Sequence, residues 1–198
     1  MKQGWTLQIK VRRVALAALF VLLPASTFAY ETGKPAPMVA NEKARELEGV
    51  GITEHRGDQI DLNLKFNDEH GQPVTLRQYF EADHRPVILS PVYYSCPGLC
   101  SFHLNALTDA MKEMDWSLGD QFKAIAVSFD PTEDSKLAMK KKESYMKLYG
   151  RPVAEKDWHF LTGDEASIKA LMATVGFKYK WNDESNEWAH ASTAIIVT

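Results

Sequence analysis

The chain has 198 residues, with 23 Lys+Arg against 26 Asp+Glu and a net charge of −3. Hydrophobic residues make up 45%, charged residues 25% and aromatics 11%, which suits one globular domain with its own core and excludes a disordered chain. The absence of a Lys+Arg surplus argues against a general nucleic-acid binder. Two cysteines exclude a multi-disulfide scaffold and a four-cysteine zinc or iron–sulfur site.

At the N-terminus, Lys2, Lys10, Arg12 and Arg13 stand without an acid, and Val14 to Leu23 is an unbroken apolar run ended by Pro24. Ala25-Ser26-Thr27-Phe28-Ala29 then supplies small residues. This pattern predicts a secretory signal over residues 1–29, cleaved after Ala29. The alternative is an uncleaved anchor, although ten helical residues rise only about 15 Å against the roughly 30 Å of a hydrocarbon core. Without those four positive charges the net charge of −3 becomes −7, a distinctly acidic protein. Export puts both cysteines where a disulfide can persist.

Residues 30–59 read as an irregular N-terminal extension and 60–198 as the domain. Leu62 to Phe66 and Val74 to Leu76, separated by Asn67-Asp68-Glu69-His70-Gly71, predict a hairpin. Val87 to Tyr94 predicts a strand buried on both faces, in which Pro91 implies a bulge or the strand's end. Leu104, Leu107, Met111 and Met114 predict a helix, and Phe122 to Phe129 a second core strand. Asp130-Pro131-Thr132-Glu133-Asp134 is a turn that starts a helix over Ser135–Tyr149, ended by Gly150. Its Lys140-Lys141-Lys142 run is expected to be a solvated face. Trp158 to Leu161 predicts a short strand. A helix carrying Ile168, Leu171, Met172 and Val175 is closed by Gly176, and Ala194 to Val197 is a last strand. Alternating strands and helices indicate an α/β sandwich.

The chemical signal is Ser95-Cys96-Pro97-Gly98-Leu99-Cys100, at the junction of a core strand and a helix. A helix N-terminus favours thiolate over thiol. On one helical turn the two Cα atoms lie about 6 Å apart, which allows a disulfide or a shared metal ion. So short a loop constrains the unfolded chain little, so a plain staple is a poor use of the pair. Two thiolates select Cu(I), zinc or related soft ions, and an added imidazole makes a three-coordinate site that suits copper. The candidates are His55, His70, His84, His103, His159 and His190. Local geometry favours His103, which can equally be a boundary residue, and spacing alone does not choose among the six.

Four segments carry a family resemblance. They are Val92-Tyr93-Tyr94-Ser95-Cys96-Pro97-x-x-Cys100, Val127-Ser128-Phe129-Asp130-Pro131-x-x-Asp134, Phe160-Leu161-Thr162-Gly163 and Ala189-His190-Ala191-Ser192-Thr193-Ala194. In order and spacing, across roughly residues 60–198, they resemble the SCO1/SenC family. The resemblance implies a thioredoxin-like three-layer α/β sandwich with an N-terminal hairpin. It also implies copper, Cu(I) or Cu(II), held by Cys96, Cys100 and His190, with Cys96 and Cys100 also a redox pair. It implies a monomeric periplasmic metallochaperone that delivers copper to the CuA-bearing subunit of cytochrome c oxidase or to another copper protein. The alternative within the family is a thiol–disulfide oxidoreductase or redox sensor. Asp130 matches an acidic position and is assigned a supporting role beside the site. The chain departs from the family in lacking an acid between the cysteines and Pro after the second, which should ease thiolate formation. It also stops at Thr198, where the family continues with a hairpin return and a helix. That implies a C-terminal truncation or an exposed edge strand.

Overall fold

The two apolar runs flanking the cysteine segment pair with each other and form the centre of the molecule. The computed structural model describes residues 47–81, 83–151 and 155–198, so the predicted signal and most of the extension lie outside the described residues. Strands β1 (Gly51–Ile52), β2 (Lys65–Asn67) and β3 (Pro73–Thr75) come first, followed by the short helix α1 (Arg77–Phe80). Strand β4 (Val87–Val92) leads to helix α2 (Leu99–Glu113), and strand β5 (Lys123–Ser128) to helix α3 (Ser135–Tyr149). Strand β6 (Trp158–Leu161), helix α4 (Glu165–Thr174) and strands β7 (Phe177–Asn182), β8 (Glu187–His190) and β9 (Ile195–Val197) complete the order.

The central sheet runs β6-β5-β4-β9. β4 and β5 pair in parallel from Val87 opposite Lys123 to Val92 opposite Ser128, and every residue of both is buried. This burial on two faces is what their unbroken apolar character anticipates. No slip in register occurs at Pro91; the strand continues to Val92. Proline is tolerated there because antiparallel β9 pairs only with Val87 to Leu89, so no ladder partner stands beside Pro91 on that side. β9 is the outer strand of the sheet.

Helix α3 has the predicted ends. Asp134 caps it by accepting the Leu137 N–H at 2.9 Å and Gly150 closes it at φ 69°, a left-handed conformation that glycine adopts without penalty. The fully solvated face expected of Lys140-Lys141-Lys142 is corrected. Lys142 is 2% exposed, and its ammonium donates to Glu69 in the turn between β2 and β3. Burial alone would raise the Glu69 carboxyl. The His159 ring, with Nδ1 3.6 Å from the carboxylate, and hydrogen bonds from Lys142 and the Phe160 N–H instead take it down to about 2.

The region between α4 and β9, for which periodicity suggested no element, is an antiparallel hairpin of β7 and β8. β1 pairs with its outer edge. Gly176 makes this possible. It sits at φ +67°, and a Cβ there would meet the Thr53 carbonyl oxygen at 1.7 Å, while its own carbonyl accepts the Thr53 N–H at 2.8 Å. Gly163 is a second close approach, since a Cβ would lie 2.6 Å from the Phe66 ring. Among the described residues no helix is long and apolar enough to cross a membrane.

Candidate metal centre

In α/β sheets the strand ends at which chains leave toward the next helix are where ligand sites form. Cys96 lies in the turn after β4, and Cys100 in the first turn of α2. The two are therefore not on a common helical stripe, and His103 does not extend one. Both are free thiols and both are buried. Cys96 Sγ accepts the Cys100 N–H at 3.4 Å, the place an N-cap oxygen usually fills, because Gly98 offers no side chain to cap α2. Cys100 Sγ accepts the Tyr93 N–H at 3.3 Å.

His190 ends β8. The antiparallel pairing of β7 with β8 sets it opposite Tyr179, and its Nε2 lies 3.5 Å from Cys100 Sγ. The ligand atoms of Cys96, Cys100 and His190 all lie within 4.8 Å of one another. The other ring nitrogen, Nδ1, is 2.6 Å from the Ala191 carbonyl oxygen. A carbonyl can only accept, so Nδ1 carries the proton and Nε2 presents its lone pair to the sulfurs. The ring is held edge-on to Tyr93, with centroids 5.5 Å apart, and against Phe129 at 5.2 Å.

His103 is elsewhere, with Nε2 3.1 Å from the Ser90 hydroxyl on β4. Nδ1 of His55 lies 3.0 Å from the Thr174 carbonyl oxygen, and Nε2 of His159 lies 2.5 Å from that of Lys156. His70 and His84 are exposed.

Burial dominates the protonation of Cys100 and His190. It pushes the Cys100 thiol well up, against the lowering effect of the Tyr93 N–H. The expected thiolate stabilisation by the helix N-terminus is outweighed at that position. Burial also lowers His190, partly countered by the Ala191 carbonyl, which favours the neutral imidazole. The two thiols beside this neutral imidazole can release their protons and hold one soft cation; a divalent ion leaves the cluster neutral and Cu(I) leaves one negative charge, less than the two of the bare dithiolate that desolvation penalises.

Two acids after β5 support this arrangement from behind. Asp130 is 8% exposed. Its Oδ2 accepts the Trp188 indole N–H at 2.9 Å, and its Oδ1 accepts the Thr132 N–H at 2.8 Å. It therefore anchors β8 two residues before His190. Glu133 accepts the Ser95 N–H at 2.6 Å and the Tyr94 N–H at 2.7 Å. Sequence reasoning took Glu133 for part of a helix start. A second acid beside a complete N-cap residue, Asp134, was the signal that one of the two was free for another task. Trp188 was missed along with its hairpin.

A parallel-centred α/β sheet with a buried dithiol–imidazole cluster at its strand ends defines a thioredoxin-like protein with a candidate soft-metal or redox centre. Residues 53–198 match the SCO1/SenC family, and the chain belongs to that family. A SCO1/SenC family lipoprotein from Bacillus anthracis str. Ames is similar in structure, with a TM-score of 0.56 at 11% identity over 74% of this chain and 82% of that one. Arabidopsis thaliana ScoI, solved with copper bound, has a TM-score of 0.55 at 16% identity over 68% of this chain and 78% of that one. At these identities the likeness is one of fold. No curated protein matches the chain.

Proposed function

We propose that this protein is an exported copper metallochaperone in which Cys96, Cys100 and His190 hold the ion as cargo. The observation that carries the reading is the meeting of two sulfurs and one imidazole nitrogen within 4.8 Å, with Nδ1 already committed to the Ala191 carbonyl. Two thiolates and one imidazole form a soft donor set of low coordination number, which favours Cu(I) over harder ions. The copper-bound Arabidopsis relative supports the same cargo. Uptake displaces the thiol protons, so affinity rises with pH. Burial of all three donors limits exchange with solvent, so release needs a partner that supplies competing ligands. The recipient we assign is the CuA-bearing subunit of cytochrome c oxidase. In this reading residues 1–29 are the export signal, 30–59 the extension and 60–198 the working domain, which acts in the periplasm.

Titration of reduced protein with Cu(I) against a competing chelator should reveal one tight site. Equal affinity in Cys96→Ser would overturn the proposal. A thiol–disulfide oxidoreductase needs only the two sulfurs. The two functions separate in His190→Ala, which should lose copper retention and keep thiol exchange.

A further inference from the structure

We infer that Glu133 is a positioning residue for the cysteine pair, its carboxylate holding the Tyr94–Ser95 turn in the geometry of the reduced, metal-accepting site. The inference rests on reading Cys96 and Cys100 as the working pair. Glu133 follows β5 and Cys96 follows β4. Their loops are neighbours because the two strands pair in parallel to their last residues, Val92 opposite Ser128. Oε1 accepts the Ser95 N–H at 2.6 Å. Oε2 accepts the Tyr94 N–H at 2.7 Å and the Ser128 hydroxyl at 2.6 Å. Charge-assisted bonds of this length are the strong kind.

One carboxylate thus takes the N–H groups of the two residues immediately ahead of Cys96. The next N–H, that of Cys96 itself, goes to the Tyr93 carbonyl at 3.3 Å, which completes the turn. Helix α3 does not need Glu133, since Asp134 caps it. Nor is Glu133 required by Asp130, which already holds Thr132 and Trp188. Two of its three side-chain bonds go to the segment carrying Cys96, and the third ties that segment to the end of β5 through Ser128.

The pair is held as two separate thiols. Closing it to a disulfide needs the sulfurs at about 2 Å, so the side chains must rotate and the turn that carries Cys96 must tolerate their approach. With oxidised glutathione the reaction is dithiol plus glutathione disulfide giving protein disulfide plus two glutathione thiols. Two electrons and two protons pass from the cysteines to glutathione. A turn released from Glu133 closes more readily, so losing the carboxylate favours the disulfide and weakens the metal-accepting form.

The test uses the full chain with Glu133→Ala and Glu133→Gln. Glutamine keeps the size but must turn its NH2 toward one of the donors. The readouts are the thiol–disulfide equilibrium with glutathione in metal-free protein and Cu(I) affinity by chelator competition. Asp164→Ala, which removes the α4 cap away from the turn, controls for simple destabilisation. We expect both Glu133 variants to shift the glutathione equilibrium toward disulfide by about tenfold, which is about 30 mV, and to lose about tenfold in copper affinity. Asp164→Ala should leave both within twofold of wild type. Glu133 variants within twofold of wild type, or an equal shift in Asp164→Ala, would overturn the inference. Wild-type protein that neither binds Cu(I) nor forms the disulfide would instead overturn the reading of the pair.

Discussion

The two ends of the central sheet are built from opposite chemistry. Where β4, β5 and β6 begin, Arg85 pairs with Asp83 at 2.7 Å and with Asp157 at 2.5 Å. There Lys123 also pairs with Asp83 at 2.8 Å. Where β4 and β5 leave the sheet, two thiols and an imidazole meet, while Asp130 and Glu133 accept from indole and backbone N–H donors. At the first end charge is matched by charge, although the buried Asp157 Oδ2 accepts no hydrogen bond among the described residues. At the second, the sulfurs each take one weak backbone bond and the imidazole Nε2 takes no strong donor. The charged end is held by mutual ion pairs; the soft end brings together three donors with capacity left for a cation.

That contrast predicts a division of effects between the two ends. Cys96→Ser or Cys100→Ser should reduce Cu(I) affinity by more than about 100-fold, since even residues behind the ligands typically cost ten to a hundred. Urea unfolding of the same variants should shift by less than about 1 kcal/mol. Away from both ends, the buried Glu69–Lys142 pair should behave purely as structure. Glu69→Ala takes the carboxylate away from a buried ammonium and should cost about 3–5 kcal/mol, with one Cu(I) still bound per chain.

The same carboxyl sets an acid limit. It is held at about 2 in the folded protein against 4.5 normally, so its contribution is complete above about pH 4.5. That contribution is lost as pH falls from there toward 2. The stability gap between wild type and Glu69→Gln, measured by urea titration at stepped pH, should therefore shrink over that window. A gap that widens would contradict the pairing. Asp157→Asn removes one arm of a pair whose Arg85 side chain is 20% exposed. It should cost about 1–2 kcal/mol and leave copper affinity unchanged. Among the supporting contacts, the smallest effect on stability is expected from Trp188→Phe, which loses the Asp130 bond. Stability should fall by about 1 kcal/mol and copper affinity by about tenfold, a combination that distinguishes a support of His190 from a simple core residue.

Much of the fold was legible because it follows from short-range rules. β4 and β5 read as strands from apolar runs, and the ends of α3 from Asp134 and Gly150. The β7–β8 hairpin was not read, although Phe177, Tyr179 and Trp181 alternate with Lys178 and Lys180 as a half-buried strand does. The burial of Glu69 and Lys142 could not be read at all, because the pairing joins a hairpin turn to a helix 73 residues away. At the site, the spacing of Cys96 and Cys100 already implied closeness. The imidazole was a different case. Local spacing pointed to His103, while His190 came only from the family resemblance, since 90 residues separate it from Cys100 and strand pairing alone closes that distance. Glu133 was hidden for the same reason: its acceptors' donors belong to the loop after a different strand.

The central claim is that the nitrogen of residue 190 and both sulfurs serve one ion. X-ray absorption at the copper edge of the Cu(I)-loaded full chain, beside His190→Ala, tests it most directly. The account predicts a shell of two sulfurs and one imidazole nitrogen that becomes sulfur-only in the variant. A sulfur-only shell in the wild type, identical in the variant, would contradict it.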